Sequence, residues 1–493
     1  MVPFSRKHLW LLTILAAEVL LFVWKCDHFF NGDSLFFFSR RIESWSDVWR
    51  VFEGPDALWQ YRPLTFVIFS FVLYPLFGMN RLGYNLFPLL VHAGNTLVVF
   101  GILRKLGLAE RAALLGTFFF GAHCAAFYVT YDAAFLPDFS FSFFYLLAIF
   151  FFVKFLQAEK HGSVALSLLF FILALFCKET AATLPAVVVA IAFLWGKEGF
   201  RLPKEPFRRM AGDCIRKTYS FIIIGAVYLG FHWFVKAGQM YGPGIDHPHH
   251  IEFSLQSLQF KYKYLKWMFN LPDALVFRFE GLANYLVAVA VLVFAIPFVI
   301  STIRNLWRLD RLTLCSCLWF AAAFSPVLFL RNVVMHHYLY VPMAGLSLGF
   351  GDWLHRAIEW FEHFGRTWAR AAIIAFVAIY TVSVFFHNLH AVKDSWIATA
   401  STIAETSLQD LQRQRPTLPD GATLYFVDKS SLGSLRWYYD YGTLVRLFYP
   451  AKSLDIRFID RGYELPDKHE LPIGAIVFEY DGSHLAEVPM GSD

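Results

Sequence analysis

Long apolar runs, separated by short polar and charged segments, dominate the first 390 residues of the chain. A helix needs roughly 20 apolar residues to cross the ~30 Å hydrocarbon core of a membrane. Eleven runs meet this length or fall slightly short of it, and they begin near residues 8, 83, 110, 138, 163, 181, 219, 282, 312, 338 and 371. The pattern therefore predicts an all-α polytopic membrane bundle of about 11 transmembrane helices.

One further apolar run, over residues 63–78, could cross the membrane or lie along its surface. Cytoplasmic loops carry an excess of Lys and Arg, so the basic segments indicate which alternative holds. If residues 63–78 do not cross, these basic segments all share one side with the N-terminus: 104–111, 157–161, 197–217, 304–311 and 355–370. We therefore predict a cytoplasmic N-terminus and a juxtamembrane or re-entrant helix at 63–78, within the first external loop.

The chain changes character from about Ala391, where polar and charged residues become more frequent. Alternating and amphipathic patterns predict a small α/β domain there. Its predicted helices are 396–411 and 432–448, and its predicted strands are 422–427, 454–459 and 475–480. We expect a transmembrane domain at 1–390 and a soluble extracytoplasmic domain at 391–493, whose role could equally be substrate docking or structural support.

The amino-acid composition is typical of a membrane protein and argues against some classes of partner. The chain is 57% hydrophobic and 16% charged, which excludes a water-soluble globule of this length. Its net charge of +5 is spread over short clusters between apolar runs, so we expect no nucleic acid. His247, His249 and His250 have no neighbouring acid or cysteine at ligand spacing except Asp246. We interpret them as a solvated loop and expect neither a metal site nor a cofactor.

Three acidic residues are candidates for the site: Asp33 and Asp138 as catalytic residues and Asp132 as a substrate-binding residue. Asp33 follows the first apolar run, and a carboxylate fixed at a membrane surface is unfavourable unless it is used. It could be a general base that deprotonates an incoming nucleophile, or it could cap a helix that starts near Leu35. Asp138 begins the fourth span, where the helix dipole alone would favour it. Alternatively, Asp138 orients an acceptor or a catalytic partner, and Asp132 in the same loop could do the same.

Several basic residues are candidates for binding a phosphate group. A leaving phosphate carries negative charge that Arg, Lys or protonated His can neutralise. The candidates predicted to face the non-cytoplasmic side are Arg62, Lys178, Arg331, His336 and His337. Arg331 is favoured over the histidines because Arg binds phosphate in a bidentate manner. Lys178 could instead form a salt bridge with Glu179 that closes the hairpin, and interfacial snorkelling could explain any one of the others.

Short motifs occur in an order that resembles the C-fold membrane glycosyltransferases, and within them the transmembrane O-mannosyltransferases that carry TPR repeats and their bacterial relatives. The matching pieces are Gly32-Asp33, Tyr61–Leu64, Gly83–Leu86, His92–Asn95, Gly121–His123, Asp138, Lys178–Thr180 before Leu184-Pro185, and Tyr338–Pro342. The TPR array itself is absent, and the α/β tail stands in its place. The family's Glu-Arg before Tyr-Leu-Tyr is replaced by His336-His337, and Cys124 and Tyr128 replace a Pro and a Glu.

This resemblance implies a multi-pass enzyme that transfers a sugar, with inversion, from a polyprenyl-phosphate carrier on the non-cytoplasmic face. The acceptor would be a protein or a glycan, and the setting a bacterial inner membrane with its lipids. Asp33 would be the base, Lys178, Arg331 or His337 would hold phosphate, and Glu179 and Tyr340 would complete the substrate site. A transporter or flippase and a polysaccharide ligase or polymerase remain the alternatives.

Overall fold

The computed structural model describes the following residues: 6–53, 61–196, 199–200, 206–236, 254–259, 261–271, 282–331, 333–393, 395–430, 435–463, 465–466 and 471–489. His247, His249 and His250 lie outside them. The helices are α1 Arg6–Phe22, α2 Gly32–Ser39, α3 Val48–Glu53, α4 Pro63–Ile68, α5 Tyr74–Phe77, α6 Arg81–Lys105, α7 Glu110–Gly121, α8 Ala126–Val129, α9 Leu136–Ala158, α10 His161–Cys177, α11 Leu184–Leu194, α12 Phe207–Lys236, α13 Tyr262–Trp267, α14 Leu282–Trp307, α15 Arg311–Leu328, α16 Tyr340–Glu362, α17 Arg366–Lys393, α18 Trp396–Gln414, α19 Leu435–Tyr438 and α20 Thr443–Phe448. The strands are β1 Thr423–Asp428, β2 Asp455–Ile459, β3 Ile476–Tyr480 and β4 Leu485–Glu487.

Each of the eleven segments predicted to span the membrane is helical, as α1, α6, α7, α9, α10, α11, α12, α14, α15, α16 and α17. Among the residues that the structure describes, six helices are long and apolar enough to cross a membrane, at His8–Lys25, Arg81–Lys105, Ala133–Ala158, Phe207–His232, Arg311–Leu328 and Arg366–Lys393. The chain is thus a mainly helical multi-pass membrane protein, while the count of eleven crossings stays a prediction. Residues 63–77 form α4, a π-helical turn at Phe69–Leu73 and α5, and whether they cross is likewise still a prediction.

Helices α7 and α16 approach each other closely because glycines face across their contact. A Cβ added to Gly116 would lie 2.5 Å from the carbonyl oxygen of Ser347, and one added to Gly351 would lie 2.4 Å from that of Ala112. Small residues at such positions let transmembrane helix backbones pack closely. This contact fixes the direction of α16, whose first residue, Tyr340, follows the 3-10 turn at His336–Leu339.

The tail forms a four-stranded sheet in the order β2-β1-β3-β4. β1 is parallel to both β2 and β3, and β4 is antiparallel to β3. The three predicted strands are confirmed to within one residue, whereas β4 was not predicted. Helix α18 begins where predicted and lies beside the sheet, where Gln414 donates a 2.7 Å hydrogen bond to the carbonyl oxygen of Leu485.

The continuous helix predicted at 432–448 is wrong. Within the described part of this segment two short helices, α19 and α20, flank a sharp turn. Asp440, Tyr441 and Gly442 in this turn have φ of 43°, 54° and 97°. A right-handed helix cannot continue through left-handed residues, so the chain reverses there.

Candidate active site

Asp33 lies in the first turn of α2, and Asn31 rather than Asp33 caps this helix. The side-chain oxygen of Asn31 accepts hydrogen bonds from the backbone N–H groups of Asp33 (3.1 Å) and Ser34 (3.4 Å). The Ser34 hydroxyl in turn accepts a 2.9 Å bond from the backbone N–H of Asn31, which completes a capping box. The alternative in which Asp33 is the cap is therefore wrong, and its carboxylate remains available.

The Asp33 side chain is partly exposed. Its carboxylate forms no hydrogen bond or ion pair with any residue that the structure describes. Burial is the main cause that raises the pKa of Asp33 to about 7, and the nearby carboxylates of Asp132 and Asp440 add to the effect. A carboxylate whose pKa lies near neutrality is well matched to general-base chemistry.

Asp132 holds the loop that carries Asp33. It is 1% exposed, and it accepts hydrogen bonds from the Asn31 amide (2.6 Å) and the backbone N–H of Ala134 (2.6 Å). The His28 ring nitrogen Nε2 lies 2.9 Å from the same carboxylate. These contacts tie Asn31, and through it α2, to the start of α9. Asp132 thus fixes the position of the loop that precedes Asp33.

The tail packs directly against α2. A Cβ added to Gly32 would lie 2.0 Å from the carbonyl oxygen of Trp437, so a glycine is required for this approach. The rings of Phe29 and Phe448 are 5.7 Å apart. Arg81 at the start of α6 bridges the bundle and the tail, since it contacts Glu405 at 2.6 Å as well as Asp27 at 3.3 Å.

A second group of charges gathers where α9 begins and α10 ends. The Lys178 ammonium donates a 2.5 Å hydrogen bond to Asp138, and His337 Nε2 lies 3.8 Å from the same oxygen. The Arg62 guanidinium donates two bonds to Glu179, of 3.1 Å and 2.8 Å. The alternative hairpin salt bridge between Lys178 and Glu179 is wrong, because each residue pairs with a different helix.

The two cations of this charge cluster have N–H groups that the two ion pairs do not use. An ammonium has three N–H bonds and a guanidinium has five. Among the described residues, Lys178 donates one of its bonds to Asp138 and Arg62 donates two to Glu179. The Glu179 side chain is 34% exposed, so the cluster reaches the surface of the protein. An anion bound by the unused N–H groups would leave both ion pairs intact.

The structure separates the remaining predicted site residues from this cluster to different degrees. Arg331 is half-buried just beyond α15. His336 is buried, with its ring centroid 3.8 Å from that of Trp267, and burial lowers its pKa well below the ordinary value. A neutral imidazole adds no positive charge for a phosphate. The Tyr340 hydroxyl lies inside the bundle, bonded to His92 at 2.6 Å and to Asn95 at 3.0 Å.

Two buried charged residues of the first apolar run were missed. Lys25 donates hydrogen bonds to the carbonyl oxygen of Phe127 (2.5 Å) and to the Thr130 hydroxyl (2.8 Å). Glu18 is fully buried, with Oε2 at 3.9 Å from His92 Nε2. A charged residue inside an apolar run is the sequence signal that could have found them. Lys25, in the 3-10 turn that follows α1, holds the segment that leads to Asp132.

Part of the sequence matches a known protein family, and the fold is similar to that of solved structures. Residues 62–210, less than half of the chain, match the family model described as dolichyl-phosphate-mannose-protein mannosyltransferase. No curated protein matches the sequence. The solved structure of ArnT from Cupriavidus metallidurans bound to undecaprenyl phosphate is similar with a TM-score of 0.53 and 13% identity, over 96% of this chain and 93% of that one.

Structures of the Archaeoglobus fulgidus oligosaccharyltransferase are also similar. The apo form matches with a TM-score of 0.50 and 11% identity, over 92% of this chain. The form tethered with an acceptor peptide has a TM-score of 0.49 and 12% identity, over 93% of this chain. The chain spans 65% and 64% of the lengths of these two structures. At these identities the similarity to ArnT and to the apo form, whose TM-scores reach 0.5, shows a shared fold and confirms the predicted fold class.

Proposed function

We propose that this protein is a glycosyltransferase that moves one sugar from a polyprenyl-phosphate carrier to an acceptor, with Asp33 as the general base. The observation that carries the proposal is the Asp33 carboxylate, which has no hydrogen bond or ion pair among the described residues and has a pKa of about 7. The shared fold with ArnT, whose structure holds undecaprenyl phosphate, and the family match over residues 62–210 support it.

The reaction needs one displacement. A hydroxyl or amine of the acceptor attacks the anomeric carbon of the sugar and forms the new bond there. The bond from that carbon to the phosphate oxygen breaks, and its electron pair stays on the lipid phosphate. Asp33 takes the proton that the acceptor loses. A single displacement of this kind inverts the configuration at the anomeric carbon, and because one carboxylate suffices, we propose no metal and no cofactor.

The leaving phosphate would be stabilised by the cluster around Lys178 and Arg62. Charge-assisted hydrogen bonds from ammonium and guanidinium groups are the strong ones for phosphate. Both cations have donors beyond those that Asp138 and Glu179 accept. In this proposal Asp138 positions Lys178, and His337 borders the pair at 3.8 Å from Asp138. Arg331 lies in the same connection between α15 and α16.

The acceptor would reach Asp33 beside the tail. Trp437 and Tyr441, on the chain segment that packs against α2, are 50% and 56% exposed. Aromatic faces and carboxylates suit either a glycan or a protein acceptor. The parity of the basic segments supports a non-cytoplasmic location for this end of the bundle and the tail, with a cytoplasmic N-terminus. We further propose a bacterial inner membrane as the location.

A radiolabelled polyprenyl-phosphate sugar tests the proposal directly. Transfer of label should occur with the wild-type protein and fall by about 10²-fold or more with Asp33→Asn, since general-base catalysis contributes about 10²–10⁴-fold. Asp27→Asn is the matched control, because Asp27 is an exposed acid of the same loop that contacts Arg81. Equal turnover by wild type and Asp33→Asn would contradict the assignment.

The same assay separates the alternatives. A polysaccharide ligase would prefer a carrier with a diphosphate linkage to one with a monophosphate. A flippase would move labelled carrier across a proteoliposome membrane and leave the sugar attached to it. EDTA should leave the transfer rate unchanged.

A further inference from the structure

A cavity of about 420 Å³ lies between α14, α15 and α16. Helix α16 runs from Tyr340, which follows the turn that carries His337, to Glu362, and the cavity is lined by residues of its second half such as Asp352 and Trp360. The cavity therefore opens at the end of the bundle opposite Asp138. Its volume falls within the range of about 300–1,000 Å³ that is usual for small-ligand sites.

The inner wall of the cavity combines small polar and apolar groups. The Ser316 hydroxyl donates a 2.8 Å hydrogen bond to the carbonyl oxygen of Gly345 and accepts a 3.2 Å bond from the backbone N–H of Gly349. A Cβ on Gly349 would lie 2.8 Å from the same hydroxyl. Phe298 and Leu346 supply apolar surface. Gly349 thus allows α16 to pack closely on α15 beside the cavity.

Charged side chains line the opening of the cavity. Arg356 pairs with Asp352 at 2.7 Å. Arg304 also lines the cavity and is exposed, and its side chain forms no hydrogen bond or ion pair with any residue that the structure describes. The lining therefore has two arginines for one aspartate. Trp360, which is 57% exposed, lies at the same opening, as is typical of tryptophans at a membrane interface.

We propose that this cavity binds the phosphate headgroup of an anionic phospholipid from the membrane leaflet at that end of the bundle. Arg304 supplies the guanidinium that binds the phosphate, and Phe298, Leu346 and Trp360 contact the apolar part of the lipid. Basic pockets between transmembrane helices are suited to anionic headgroups, and guanidinium groups match phosphate geometry. A soluble phosphate ester shares the charge but has no acyl chains to use the apolar lining.

A lipid bound in the cavity would stabilise the folded protein and would take no part in the transfer reaction. The occupied cavity joins α14, α15 and α16, and α16 leads back to the turn at His336–Leu339. A ligand that binds only the folded protein raises its stability by an amount that grows with the logarithm of one plus the ratio of the ligand concentration to Kd. The proposal is independent of the proposed glycosyl transfer, since its readout is binding.

Thermal unfolding of the full-length protein in a neutral detergent, titrated with phosphatidylglycerol or phosphatidylcholine, tests the proposal. Phosphatidylglycerol should raise the Tm of the wild type more than phosphatidylcholine does. Arg304→Ala should weaken the apparent affinity for phosphatidylglycerol about tenfold, which is the effect expected for a lost hydrogen bond between charged groups. Arg308→Ala is the matched control, because Arg308 is an exposed arginine near the end of the same helix that does not line the cavity.

Each other outcome overturns the proposal. Equal stabilisation by the two lipids would show that the headgroup charge is not recognised. Equal weakening by Arg304→Ala and Arg308→Ala would show general surface attraction instead of a site. Protection by glycerol 1-phosphate at the same concentration as the lipid would assign the cavity to a soluble phosphate ester. Because Arg304 is exposed, its substitution should leave folding intact, and the Tm of each variant without lipid verifies this.

Discussion

Asn31 donates a 2.6 Å hydrogen bond to the carboxylate of Asp132, which lies 101 residues further along the chain. The same side chain caps α2 through the backbone N–H groups of Asp33 and Ser34. One amide thus holds the helix that carries the proposed base and joins it to the start of α9. The position of Asp33 depends on Asn31 as much as on its own backbone.

Asn31→Ala should lower kcat more than it changes KM, because the base is displaced while the substrate contacts elsewhere remain. Loss of a helix cap alone lowers the free energy of unfolding by about 0.5–2 kcal/mol. Asn80→Ala is the matched control, since Asn80 caps α6 by the same two types of bond. Asn31→Ser should restore the cap but not the bond to Asp132, so only part of the kcat should return. Equal kinetic effects of Asn31→Ala and Asn80→Ala would contradict a positioning role.

The pH dependence of transfer should report the ionisation of Asp33. The pKa of this carboxyl is raised to about 7, and a base must be deprotonated to act. The value of kcat/KM should therefore fall about tenfold for each pH unit below that pKa and level off above it.

Asp440→Asn should move the acid limb of this profile to lower pH, because the Asp440 carboxylate helps to raise the pKa of Asp33. Asp455→Asn, in strand β2, is the control and should leave the profile in place. A profile that is identical in Asp440→Asn and wild type would show that the tail does not influence the base.

The pair formed by Lys178 and Asp138 should respond differently to single and double substitution. Removal of one partner leaves a buried charge, and Lys178→Met should lower the free energy of unfolding by about 3–5 kcal/mol. The double variant Lys178→Met/Asp138→Leu should regain most of that stability, since two apolar side chains replace the ion pair.

Activity then distinguishes the roles of this pair. If Lys178 binds the leaving phosphate, the double variant will be stable and still poorly active. A double variant with wild-type turnover would show that the pair only supports the bundle. Thermal unfolding in detergent and the labelled-sugar assay provide the two measurements.

Gly32→Ala should disturb the contact between α2 and the tail, because its Cβ would lie 2.0 Å from the carbonyl oxygen of Trp437. We expect faster proteolysis of the tail and a lower kcat. Gly162→Ala is the control, since a Cβ at Gly162 would meet no atom within 4 Å. Unchanged proteolysis and turnover in Gly32→Ala would contradict a functional contact.

The apolar helices and the strands β1, β2 and β3 could be predicted from the sequence because they depend on local periodicity. The pairing of charges could not. Lys178 and Glu179 are adjacent, which favoured a mutual salt bridge, but the backbone of Lys178 is extended, with φ −159° and ψ 137°. Successive side chains of an extended segment point in opposite directions. Lys178 therefore reaches Asp138 while Glu179 reaches Arg62.

The residues that surround Asp33 could not be predicted from the sequence either. Nothing near Asp440 or Trp437 indicates a contact with α2, because the two segments are far apart in the chain and the contact depends on the turn with positive φ at Asp440 and Tyr441. The acid itself could be found, since a carboxylate next to an apolar run is a local signal. Its cap, its partner Asp132 and its neighbours in the tail required the fold.

The close packing of Trp437 on Gly32 bears on how shortened versions of this protein should be designed. A version that stops after α17 would retain every long apolar helix and could pass routine checks of expression and solubility in detergent. It would nevertheless lack Asp440, so Asp33 would ionise at a lower pH and would face water where the tail now lies. Turnover measured on such a fragment would describe a different catalyst.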